Sequence, residues 1–250
     1  MTAILSSEIL GRFGVASPEL LSRRRLLRRT DSKFVMRAGD LPAIVDSLAD
    51  AYRVLLAGTV PLASYRTLYF DTPELDCFHD HRRGRRPRNK IRIRHYDERG
   101  LTFLEIKTKR SELETRKYRK ARPFGETGLD ASDRAFIAEH SGYAGELGPT
   151  IWTDFRRLTL LSIDFNERVT IDLGLEFHRD GTRADIGDLA IVEIKQSPFC
   201  MRSGAMQALR RIGVRQASAS KYCTATMLTR TGLRFNRLRP VLRTIERLSS

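Results

Sequence analysis

The chain has 250 residues, 41% hydrophobic and 30% charged, enough apolar material for one large domain or two small ones. Its 45 Lys and Arg against 30 Asp and Glu give a net charge of +15, which suits polyanionic partners such as nucleic acid, an anionic membrane or phosphorylated small molecules. Three cysteines without CxxC spacing exclude a disulfide framework or zinc ribbon and fit a reducing, cytoplasmic setting, and neither a membrane-length apolar run nor a secretory pattern is found.

Residues 1–22 carry Ile4, Leu5, Ile9, Leu10 and Phe13 at helical spacing before Pro18 and predict an arm or short helix. The basic run 23–29 reads as a solvated entry segment that offers a peripheral contact to an anionic membrane. Residues 30–36 predict a strand. Asp40 as N-cap and Pro42 near the start predict an amphipathic helix to about residue 56. A strand over 62–71 ends at Thr72-Pro73, and 79–88, with Gly84 and Pro87, reads as a loop. Residues 89–96 alternate, and Gly100 turns them into a second strand, 103–109, as an antiparallel hairpin.

Further along, 115–122 is basic and extended, 131–140 helical and 142–149 a glycine-rich loop. Strands are expected over 151–163, 168–177 and 189–195, and helices over 203–212 and from Ser220 to about residue 230. The last segment, 231–250, reads as a basic tail.

Side chains alternate along a strand, so each of these strands has an aliphatic face and a charged one. The charged faces hold Lys33; Arg92 and Arg94; Glu105 and Lys107; Lys117 and Arg119; Arg157; Arg168 and Asp172; Glu193 and Lys195. A single strand of this kind is most simply a solvated sheet face. A set of seven, with helices available to cover the aliphatic faces, points to charged faces turned inward. Many cations with few carboxylates suit a polyanion held beside a divalent metal: Arg grips phosphate bidentately, Lys acts as a point charge, and Mg²⁺ or Mn²⁺ takes carboxylate and phosphate oxygens. Glu193 and Glu105 are the candidate metal ligands.

The ordered motifs Thr30-Asp31-Ser32-Lys33-Phe34, Tyr65-Arg66-Thr67-Leu68-Tyr69-Phe70-Asp71-Thr72, Lys90-Ile91-Arg92-Ile93-Arg94, Phe103-Leu104-Glu105-Ile106-Lys107, Arg168-Val169-Thr170-Ile171-Asp172, Val192-Glu193-Ile194-Lys195 and Ser220-Lys221-Tyr222 resemble the vacuolar transporter chaperone (VTC) domain of the triphosphate tunnel metalloenzymes. The resemblance covers residues 23–230. It implies an α+β fold built on a closed antiparallel β-barrel, with flanking helices and a C-terminal plug helix. The implied reaction is transfer of the γ-phosphoryl of ATP to a polyphosphate chain, with Mn²⁺ or Mg²⁺ as cofactor. Lys33, Arg92, Arg94 and Lys107 would act on the phosphates with Lys221 near the reaction centre, while Lys117, Arg119, Arg157, Arg168, Lys195 and Ser220 would bind phosphate and Glu193 the metal.

This chain departs from other tunnel enzymes in carrying Arg29, Asp31 and Lys33 where an ExExK pattern is usual, which favours the VTC branch over a cyclase or thiamine triphosphatase. Leu158-Thr159-Leu160 also departs from the family's run after the arginine. The alternatives are a tunnel-fold triphosphatase and a nucleic-acid-binding protein. Aromatic residues, 8% of the chain, are not interleaved through its basic runs as stacking platforms would be, so nucleic acid is not the expected partner. The five histidines lack zinc-ligand spacing, and Trp152, Cys200 and Cys223 read as packing residues.

Overall fold

Period-two alternation becomes one large antiparallel sheet in the computed structural model, which describes residues 4–24, 26, 29–111, 114–143 and 145–249. Arg25, Leu27 and Arg28 of the basic run lie outside the described residues. In chain order the elements are α1 (Ser7–Gly11), β1 (Gly14–Val15), α2 (Pro18–Arg23), β2 (Thr30–Arg37), α3 (Leu41–Asp46), β3 (Tyr52–Val54), β4 (Leu62–Asp71) and α4 (Asp76–Arg83). There follow β5 (Arg88–Tyr96), β6 (Leu101–Lys109), β7 (Thr115–Arg122), α5 (Ala131–Ser141), β8 (Gly148–Ser162) and β9 (Glu167–Arg179). The chain closes with β10 (Thr182–Asp185), β11 (Leu189–Gln196), α6 (Gly204–Arg211), α7 (Lys221–Thr229) and α8 (Arg239–Ser249).

The main strand order is β2-β11-β9-β8-β4-β5-β6-β7, with β10 on β9 and β3 on β8. The expected hairpin is β5 with β6, joined through Gly100 at φ 57°, a left-handed turn that glycine adopts without a Cβ clash. Two helical layers cover the aliphatic outer faces. Phe34, Met36, Leu158, Leu160, Val169, Ile171, Val192 and Ile194 pack with Leu41, Val45, Met206 and Leu209 of the α3 and α6 regions. Leu68, Phe70, Ile91, Ile93, Leu104 and Ile106 pack with Ile137 of α5. Each fully buried Leu or Ile contributes about 1.5–3 kcal/mol, so covering these faces fixes which way the charged faces turn.

A third apolar cluster curls the sheet. Val35 of β2, Tyr69 of β4, Phe155 of β8 and Ile191 of β11 share one buried cluster with Tyr222, Ala225 and Met227 of α7, so strands far apart in the order gather at one helix. That helix is the one expected to start at Ser220. Closure of the barrel is not what the strands form: β2 and β7 end the order, and no pairing joins them among the described residues. The edge of β2 is instead met by the chain after α6, with a bridge from Phe34 to Gln216 and Ala217 N–H donating to Lys33 C=O at 2.7 Å.

Several local expectations change. The helix expected to residue 56 ends at Asp46, and Tyr52–Val54 pairs with β8. Tyr52 is drawn there because its hydroxyl donates to buried Glu167 at 2.5 Å. Most of 79–88, expected as loop, belongs to α4 or β5. The α4 N-terminus is satisfied by Asp71, whose carboxylate accepts from Cys77 N–H at 2.8 Å and Phe78 N–H at 2.9 Å. The basic tail contains α8, with Val241 and Ile245 buried in the α7 cluster. Leu5, Leu10 and Phe13 of the N-terminal segment are also core residues.

Candidate functional site

The inner faces of β2, β5, β6, β7, β8, β9 and β11 bring the expected charged residues together around three carboxylates. Glu193 on β11 pairs with Lys33 of the neighbouring β2 at 2.5 Å and with Lys195 two residues along its own strand. Burial alone would raise the Glu193 pKa, but Lys195 and Lys33 together hold it well below the usual carboxylate value. Lys195 is itself pushed down to about 8, first by burial and further by Arg157, against the pull of Glu193.

Glu105 on β6 is 1% exposed and is saturated by donors. One oxygen accepts from Arg92 Nε at 2.9 Å and Nη2 at 2.7 Å; the other takes Lys117 at 2.8 Å, Arg119 at 2.9 Å and the Tyr96 hydroxyl at 3.0 Å. Asp172 on β9, also 1% exposed, takes Arg157 bidentately at 2.5 and 2.8 Å and Lys221 at the α7 N-terminus. Burial would raise the Asp172 pKa, but Arg157 and Lys221 bring it down to about 2.

Three other cations form no ion pair among the described residues. Lys90 Nζ donates to Ser220 Oγ at 2.9 Å. Ser220 is also the α7 N-cap, accepting from Cys223 N–H. Lys107 is pushed down to about 7 by burial, then by Lys90 and Lys33. Lys33 belongs to β2 and Lys107 to β6, so their mutual repulsion reports the curl that brings sequence-distant strands face to face. Arg94, 5% exposed, donates to Thr67 Oγ1 at 3.0 Å, with its guanidinium carbon 5.3 Å from the Tyr65 ring centroid and 5.8 Å from that of Phe155.

Arg168 sits opposite Lys195 in the β9–β11 register; its Nη2 donates to Arg24 C=O at 2.8 Å, and burial followed by Arg29 lowers its pKa. Lys90 has no role in the motif reading, although its two-residue spacing from Arg92 is the signal that places it on the same face. Asp172, visible on the charged face in the sequence, proves to be the counter-ion of the plug-helix lysine. The inner aromatic residues Tyr65, Tyr69 and Phe155 carry no sequence pattern that distinguishes them from core.

A metal can be tested only against these donors. Among the described residues no group of three or more His, Cys, Asp or Glu is arranged to hold one. Glu193 fits as a single protein ligand, because a carboxylate has about four lone-pair directions and its two lysines occupy two; phosphate oxygens and water can complete a Mg²⁺ or Mn²⁺ shell. Glu105 does not fit, since five donor contacts already take its oxygens.

Fold and site define a curled-sheet protein with a cation-rich inner face packed against a helix. The VTC domain family model matches residues 28–124 and 132–230, and the chain belongs to that family. No curated protein sequence matches it. Among solved structures it is similar to a candidate adenylyl cyclase from Hippeastrum said to have dominant triphosphatase activity, at 13% identity over 80% of this chain and 95% of the other, TM-score 0.49. It is also similar to a candidate adenylate cyclase from Bacillus halodurans, at 11% identity over 88% and 90% of the chains, TM-score 0.40. A Vibrio parahaemolyticus protein of the same description is 12% identical over 85% and 98%, TM-score 0.41. These three are too remote to argue an activity. No helix among the described residues is long and apolar enough to cross a membrane.

Proposed function

We propose that this protein is a metal-dependent polyphosphate polymerase that transfers the γ-phosphoryl of ATP to a polyphosphate chain. The observation that carries this reading is the charge deficit of the interior: among the described residues Lys90, Lys107 and Arg94 have no carboxylate partner, and burial lowers the pKa of Lys107 to about 7. A buried ammonium ion among like charges is costly, and a polyanion removes that cost by supplying the missing counter-charge.

In the proposed reaction a terminal phosphate oxygen of the acceptor chain attacks the γ-phosphorus of ATP. The bond from that phosphorus to the β–γ bridging oxygen breaks, and ADP leaves with the electron pair. Lys33, Arg92, Lys107 and Lys195 hold the phosphates of the nucleotide and of the chain. Lys221, projecting from the plug helix and steadied by Asp172, neutralises charge where the two substrates meet. A Mg²⁺ or Mn²⁺ ion bound through Glu193 would supply further neutralisation of the phosphate oxygens. Glu105 serves instead as the fixed counter-ion that aims Arg92, Lys117 and Arg119.

The test is incubation of purified protein with ATP and Mn²⁺ or Mg²⁺, with electrophoresis for long polyphosphate and separate assays for ADP and free phosphate. Long chains formed with ADP in step support the polymerase. Free phosphate without chains makes the protein a triphosphatase, and neither product removes the enzymatic reading.

A further inference from the structure

The inner face of the β5–β6 hairpin changes chemistry along its length. On β5 the inward residues run Lys90, Arg92, Arg94, Tyr96, and on β6, running back, they are Phe103, Glu105, Lys107, Lys109. The cationic part lies toward α7. The opposite end is aromatic: Tyr96 meets Phe103 edge to face at 5.9 Å and Tyr65 at 5.1 Å. Arg119 of β7 covers the pair, its guanidinium carbon 4.4 Å from the Phe103 centroid and 5.7 Å from that of Tyr96.

Arg119 is also pinned edge-on, donating to Glu105 at 2.9 Å and to the Tyr96 hydroxyl at 3.1 Å, yet its side chain is 44% exposed. A guanidinium whose edge is held and whose plane lies on an aromatic ring offers its other face to a flat ligand. Lys107 and Phe103 are four residues apart on one strand, about 13 Å at strand rise. That is on the scale of a triphosphate with its ribose, so phosphates held by Lys107 and Arg92 would place the attached base at the aromatic end.

We propose that Phe103, Tyr96 and Arg119 form a nucleobase-stacking subsite, which makes a nucleoside triphosphate, rather than inorganic triphosphate, the preferred donor. This rests on the reading of the interior as a triphosphate site and goes beyond it, because the cationic interior by itself does not distinguish the two ligands. It also reassigns Arg119 from phosphate contact to stacking partner.

The test is calorimetric titration of the purified protein with ATP and with inorganic triphosphate, with EDTA present so that no turnover occurs. The wild-type protein is expected to bind ATP about tenfold more tightly, within the range known for stacking of one base on one side chain. Phe103→Leu, which keeps an apolar side chain but removes the ring, is expected to abolish that preference, and Phe103→Tyr to retain it. Equal wild-type affinities for the two ligands, or a preference that survives in Phe103→Leu, would overturn the subsite while leaving the triphosphate site standing. Wild-type protein that binds neither ligand overturns the triphosphate site itself, and the subsite with it.

Discussion

Replacing Glu105 by Gln separates its two possible roles, counter-ion and metal ligand. The substitution keeps the shape and removes the charge that Arg92, Lys117 and Arg119 share. The side chains of Lys117 and Arg119 are 43% and 44% exposed, so solvent screens them and their loss costs little. Arg92, 16% exposed and bidentate on a carboxylate that is 1% exposed, carries most of the effect. Breaking a buried pair by removing one partner costs about 3–5 kcal/mol. Because Arg92 keeps the Tyr69 hydroxyl at 3.2 Å and an amide oxygen remains at position 105, the expected loss is near the lower end, about 3 kcal/mol. With a urea slope of about 1–3 kcal/mol per molar, the unfolding midpoint should fall by roughly 1–3 M. Added triphosphate should recover much of it, because the ligand supplies the missing negative charge and binds only the folded state. Unchanged metal-free stability together with loss of the metal response would refute the reasoning and make Glu105 a metal ligand.

Glu193→Gln should reduce metal-dependent turnover by at least about tenfold, since loss of a ligand costs no less than loss of an outer-shell partner; an unchanged metal titration would remove the assignment. Lys107, with its pKa near 7, should bind a proton when polyphosphate binds, because an anion favours the charged form. Affinity should therefore fall as pH rises from about 6 to 9, with Lys195 and Lys117, both near 8, adding to the decline, and titrations in buffers of different ionisation enthalpy should report proton uptake. Ile245→Ala should lower stability by about 2 kcal/mol in chemical denaturation, because α8 is packed core rather than a tail; a change within about 0.5 kcal/mol would contradict that.

The sequence was most legible where structure follows from period two. Leu62–Asp71 and Thr115–Arg122 form as expected, and the pairs Glu105/Lys107 and Glu193/Lys195 fall on single faces because alternation is a local property of extended chain. It was least legible where a distant group stabilises a segment. The α4 helix depends on the carboxylate of Asp71 capping Cys77 and Phe78, and β3 depends on pairing with β8, more than 100 residues away. Propensity near His79 or Tyr52 contains neither fact.

By itself the sequence determined the inventory of the site: an excess of cations, few carboxylates, and their alternation with aliphatic residues on successive strands. The tertiary structure decided how they meet. Whether a carboxylate can hold a metal depends on how many donors already reach it, and Glu105 and Glu193 look alike in sequence but have five and two such contacts among the described residues. Curling around α7 brings Lys107 within electrostatic reach of Lys33, and that proximity sets like charges against each other across the interior.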